Sequence, residues 1–233
     1  MFRGDKMKHD VTYHKTLKYG LVAFLIIIVV ELLAYAAFFR TIPNFLPKYF
    51  IWIVYLNISI VTLSMSVLYM LFNREKVPCM TGMMIGMTFG MQIGMMIGAV
   101  IGATNGYFTG AMVGMILGSI GGTIAGFTSK STMSWVQGLM SGIMGGTMGP
   151  MISVMMFTDR IYIFMPFYML LNVILLWGFM KMYHEEIIKD NSELVHNNVD
   201  LLTFASATII ITAILIAIMV YGPKSPIFAF AGL

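Results

Sequence analysis

Charge is scarce in this chain. Asp, Glu, Lys and Arg together make up 10% of its 233 residues, against roughly 25% in soluble domains. With 59% hydrophobic residues and a mean hydropathy of +0.87, that deficit excludes an ordinary soluble globule and points to an integral membrane protein. Cysteine occurs once, as Cys79, which excludes an internal disulfide and any CxxC pair for zinc or thioredoxin-type chemistry. Strict period-two alternation is missing from the apolar stretches, so they do not read as barrel strands. The formal charge of +4 forms no basic stripe with interleaved aromatics, and no nucleic-acid partner is expected. No nucleophile, base and orienter come together inside the apolar segments, so enzymatic activity is not expected either.

What is present is a series of apolar stretches, each near the roughly 20 residues that cross a hydrocarbon core of about 30 Å as a helix. Seven are readable, over about 19–39, 49–72, 80–103, 107–128, 133–157, 161–182 and 201–221. The expected fold class is all-α, a polytopic membrane helix bundle of about seven transmembrane helices with a Gly/Met-repeat core of three. These form one transmembrane domain, 19–222, with a cytoplasmic segment 1–18 before it and a short extracytoplasmic tail, 223–233, after it. The polar stretch 183–200 reads as a cytoplasmic loop. Ala34-Tyr35-Ala36 mimics a signal-peptide cleavage site, but the long basic leader and full-length apolar run favour a retained helix. Placing the N-terminus inside also puts Arg74, Lys76, Lys130, Lys181 and Lys189 inside, leaving Arg40, Lys48, Arg160 and Lys224 outside. The cationic bias supports that orientation in a cell membrane, with the C-terminus outside.

Glycine dominates the middle of the chain. It falls at every fourth position from Gly82 through Gly86, Gly90, Gly94, Gly98, Gly102, Gly106, Gly110, Gly114, Gly118 and Gly122 to Gly126, and the phase resumes at Gly138, Gly142 and Gly146. As one helix the first run would be about 67 Å long at roughly 1.5 Å per residue, too long for one bilayer crossing. It must fold back, and Thr104-Asn105-Gly106 is the expected turn, with Ser129 to Thr132 as the next. Small residues at this spacing let two helix backbones approach closely and gain dispersion contacts that lipid tails do not match. The three glycine-lined helices are therefore expected to pack chiefly on one another. The same stripes also suit a homo-oligomer or a partner membrane subunit. A phosphate-cradling loop would need Lys and Ser or Thr after its glycines at a strand-to-helix junction, so nucleotide binding is not expected.

Methionine is threaded through the lattice as G-x-M-x-G, and 16 of the 25 methionines lie between Met80 and Met156. Met83, Met87, Met91 and Met95 form a ladder at spacing four, with Met80 and Met84 in a neighbouring register, and Met140, Met144 and Met148 repeat the spacing further on. Residues four apart on a helix are neighbours, and neutral thioethers select soft ions such as Cu(I). Their neutrality makes each site weak, which suits passage better than storage. Cys79, near a helix N-terminus, would begin such a path. Gln92, Asn105, Gln137 and Glu31 would supply polar waypoints. The M-x-x-x-M pairs Met83/Met87 and Met91/Met95, with G-x-x-x-G at Gly98 and Gly102, are similar to signatures of the Ctr-type copper transporters. That resemblance covers short motifs only, and it implies methionine pairs facing a shared axis and glycines packing adjacent helices. Methionine is also an adaptable filler of irregular gaps, so the lattice also reads as packing alone.

Glu31 is the acidic residue well inside a predicted span. Its insertion costs about 3 kcal/mol on the scale for ionisable residues, which the apolar residues around it outweigh. It reads either as a helix contact or as a proton or cation relay. His9, His14, His184 and His196 fall in the polar segments without metal-motif spacing. Three functional expectations follow: Cu(I) transport or buffering, a non-catalytic scaffold or accessory subunit, and a proton-coupled transporter using Glu31. The last expects loss of transport in Glu31→Gln.

Overall fold

The structure, a computed structural model, describes residues 45–72, 78–129, 131–183, 185 and 201–225, with the isolated positions Val22, Leu25, Ile26, Ile28 and Val29. Six helices lie in the continuous stretches: α1 (Phe45–Phe72), α2 (Cys79–Asn105), α3 (Tyr107–Gly126), α4 (Thr132–Met156), α5 (Ile161–Tyr183) and α6 (Leu201–Tyr221). There is no strand among the described residues. Five stretches are long and apolar enough to cross a membrane, namely Tyr49–Val67, Cys79–Asn105, Tyr107–Ser129, Thr132–Met156 and Ile161–Tyr183, and α6 adds a shorter apolar stretch, Thr208–Tyr221. Apart from the isolated helical positions, the expected first span with Glu31 lies outside the described residues, as do residues 1–18, most of the loop 183–200, all four histidines and the chain beyond Ser225.

The turn between α2 and α3 is a single residue. Gly106 has φ 107° and ψ 171°, a backbone conformation open essentially to glycine alone, while Asn105 stays helical. The Gly106 N–H still reaches Gly102 O at 3.0 Å, closing the last turn of α2. One end of the lattice thus folds back within one peptide, which sets α3 antiparallel to α2. A 3₁₀ turn, Phe127–Ser129, ends α3, and the chain reverses again into α4.

Helices α2, α3 and α4 pack chiefly on one another, backbone against backbone. A Cβ added to Gly90 would lie 2.6 Å from Gly138 O, one on Gly94 2.5 Å from Gly146 N, and one on Gly118 2.9 Å from Gly142 O and 3.0 Å from Gly90 O. Gly114 stands in the same relation to Gly146 and Gly94. These pairings ascend together along α2 and α4 and run oppositely along α3, so α2 and α4 are parallel with α3 antiparallel between them. Ser134 and Pro150 continue the register of Gly138, Gly142 and Gly146 at the two ends of α4, with Pro150 against Gly98 and Gly102.

The other helices described cover one side of the trio. α1, α5 and α6 meet α2, and their core joins Trp52, Leu56 and Ile60 of α1 to Met96 and Val100 of α2, Met165 of α5 and Met219 of α6. At the opposite end of α2, Phe89 stacks edge-to-face on Phe179 of α5 with ring centroids 5.3 Å apart. Among the described residues no helix covers the far sides of α3 and α4, and α3 presents Phe108, Met112, Ile116, Ile120 and Ile124 there at spacing four.

Gly178 of α5 lies outside this scheme, since a Cβ there meets nothing within 4 Å. Gly178→Ala is expected to leave the fold intact and raise stability by a few tenths to about 1 kcal/mol through helix propensity. A thermal melt of the full chain in detergent checks it, and a lowered midpoint would contradict the open site.

Candidate functional site

The residues with chemistry to offer sit on α2 and α4, and the glycine contacts decide where their side chains go. Around the lattice glycines the atoms nearest to an added Cβ belong to backbone, Ser or Pro, and no methionine sulfur is among them. The axis of the trio is therefore filled by main chain. Side chains between the glycines are displaced outward. Met80, Met84 and Met87 of α2 and Met140, Met144 and Met148 of α4 are exposed, Met80 by 75% and Met140 by 65%. Met83, Met91 and Met95 are half-buried.

The α2 ladder runs beside a second small-residue stripe. Gly145 and Gly149 of α4 press on the main chain of Met91 and Met95, where a Cβ would come within 2.5 Å of each carbonyl oxygen. Ser141 and Ser153 extend that stripe at spacing four, with Ser141 Oγ 2.9 Å from Gly138 O and 3.4 Å from Gly86 O. The repeat of Ser141, Gly145, Gly149 and Ser153 was visible in the sequence as a second register of small residues, beside the one that glycine alone marks. Lower on the same seam, Gln137 Nε2 donates to Met87 Sδ at 3.6 Å. Of the expected polar waypoints, Gln137 is thus joined to the ladder.

Gln92 and Asn105 are separated from it. Gln92 is 3% exposed and its Oε1 has no hydrogen-bond partner, on the flank of α2 that carries Phe89 and Met96. Asn105 is buried in the α2–α3 turn. Cys79 is exposed at the first turn of α2, with its Sγ donating to Ser131 Oγ at 3.0 Å while Ser134 Oγ donates to Cys79 O at 3.2 Å. These bonds tie the first turns of α2 and α4 together. Among the described residues no three His, Cys, Asp or Glu side chains come together. The soft donors on these helices are the thioethers and the Cys79 thiol.

Methionine has a further role in α5. The polar face of α1 meets sulfur: Ser59 Oγ lies 3.6 Å from Met169 Sδ and Ser66 Oγ 3.4 Å from Met180 Sδ. Both hydroxyls also bond back to carbonyls one turn earlier, at 2.8 and 2.9 Å, so neither is left unsatisfied inside an apolar bundle. Here thioethers serve as weak acceptors that let polar and apolar faces pack together. No family model, curated protein or solved structure matches the chain.

Proposed function

We propose that the protein is a non-catalytic, multi-pass membrane scaffold or accessory subunit, in which a glycine-packed helix trio supplies rigidity and the outward methionines supply an adaptable surface. The observation that carries this reading is the closed axis. Backbone fills the space between α2, α3 and α4, so a solute has no side-chain-lined route between them, whereas flexible thioether side chains stand on the outer faces of α2 and α4. Methionine is suited to surfaces that must fit irregular or varied neighbours, lipid or protein. The orientation that agrees with the cationic loops places the Cys79 end of the bundle at the cytoplasmic face.

A second reading, handling of Cu(I) by thioethers, is favoured by the Met87–Gln137 contact and by Cys79 at the foot of the same ladder. In this reading the ion binds on the α2/α4 seam rather than inside the trio. One measurement separates the two: Cu(I) stoichiometry on the purified full chain under reducing conditions, for wild type, for Met83, Met87, Met91 and Met95 all replaced by Leu, and for Cys79→Ser. The scaffold reading expects no saturable binding in any of them. It also expects each Met→Leu change to cost less than about 1.5 kcal/mol, since volume is conserved. Saturable binding that disappears with the four methionines would replace the scaffold reading with the metal one.

A further inference from the structure

We propose that Gly222–Ser225 is a polar latch that holds the Tyr221 end of α6 and the Phe45 end of α1 to the α2–α3 turn, and that it opens while the glycine-packed trio stays closed. The inference is independent of both functional readings. At the end of α6 the Gly222 N–H bonds to Ile218 O at 2.8 Å, and the chain then crosses the turn, where the Ser225 N–H donates to Asn105 O at 2.8 Å. Asn105 answers with Nδ2 to Ile218 O at 3.0 Å. Thr109, in the first turn of α3, donates to Pro223 O at 2.9 Å. Lys224 Nζ donates to the Tyr49 hydroxyl of α1 and lies 5.0 Å from the centre of that ring. Four helices converge on one short segment.

The bonds that hold it differ in kind from those that hold the trio. Tyr221, Pro223 and Lys224 are exposed, so no buried apolar side chain anchors the segment. Hydrogen bonds at a helix end within reach of water exchange for bonds to water at small net cost, and regions held by few such bonds open locally without global unfolding. Asn105 adds a bias toward opening. It is 1% exposed and its Oδ1 has no partner, so hydration on opening relieves an unsatisfied buried acceptor. A Cβ on Gly222 would lie 2.7 Å from Asn105 Nδ2, so the close approach depends on glycine there.

The test is tryptic cleavage after Lys224 in the full chain in lipid nanodiscs. Cleavage requires Lys224 to leave Tyr49 and the Ser225 amide to leave Asn105, and its rate follows the open population when reclosing is fast. Thr109→Val and Tyr49→Phe each remove one latch bond with little change in shape. Each is expected to speed cleavage after Lys224 about three- to tenfold, the effect of one net hydrogen bond, with the rate after Lys181, exposed near the end of α5, unchanged. Cleavage of either variant at the wild-type rate would overturn the latch. So would parallel acceleration at Lys181 and Lys224, because the tail would then open only with the whole bundle. If Thr109→Val fails to fold, Tyr49→Phe decides from the α1 side.

Discussion

Gly90→Leu is expected to leave the chain unable to assemble its helix trio. A Cβ at that position falls 2.6 Å from Gly138 O and 3.0 Å from Gly142 N, atoms of a facing backbone that is itself pinned by Gly118 and Gly122 of α3. A flexible neighbour could rotate away; a helix main chain has to translate. Forced overpacking costs roughly 1–3 kcal/mol at ordinary core sites and more where nothing yields. With a whole isobutyl group between α2 and α4, the loss is expected above about 4 kcal/mol, in the range reserved for named core disruptions. Fluorescence-detected size exclusion of the full chain measures the monodisperse fraction. A Gly90→Leu protein eluting and melting like wild type would show that the contacts among α2, α3 and α4 are dispensable.

Gly106→Val is the second severe change, for a different reason. The space around Gly106 matters less than its dihedrals, φ 107° and ψ 171°, which a β-branched residue reaches only with strain. A cost of about 2–3 kcal/mol is expected from the backbone alone. Because the turn has one residue, no neighbour can share the distortion, and Asn105 beside it is already committed to the bonds with Ile218 and Ser225. Gly106→Val should therefore lower the unfolding midpoint strongly and also speed tryptic cleavage after Lys224. Gly106→Asn should lose nearly as much, because its tolerance of positive φ is confined to the left-handed helical region and does not extend to ψ 171°. A Gly106→Asn protein that melts like wild type would remove dihedral strain as the cause.

The contrast between these variants and the four-Leu ladder separates the two halves of the G-x-M-x-G repeat. Glycine at one register and methionine two residues on stand about 200° apart around a helix at 3.6 residues per turn, so packing one inward sends the other outward. Substitutions at glycine strike backbone, whereas substitutions at the ladder methionines strike lipid, a half-buried seam or a partner. Large effects at glycine with small effects at methionine fit the scaffold. A specific loss of Cu(I) binding at methionine fits the seam site.

Helix existence, limits and the fold-back were legible along the chain because they are local. Apolar run length, the Gly106 signal and the polar stretch 183–200 each report on the residues beside them, and α2 to α6 begin and end within a few residues of where hydropathy places them. The four-residue glycine register likewise announces a close helix contact. Partner choice is not local. A stripe on one helix does not say which stripe it meets, nor that α2 and α4 run parallel with Ser134 and Pro150 extending the same contact line. The second stripe from Ser141 to Ser153 was masked by counting glycine alone. Methionine was the least legible element, since a thioether packs about as well against lipid as against protein. Composition therefore left its direction open, and only the crowding of three backbones on one axis turned the ladders outward. The latch on Asn105 was likewise beyond reach of the sequence, because its bonds join residues more than a hundred positions apart, brought together by packing that no local periodicity encodes.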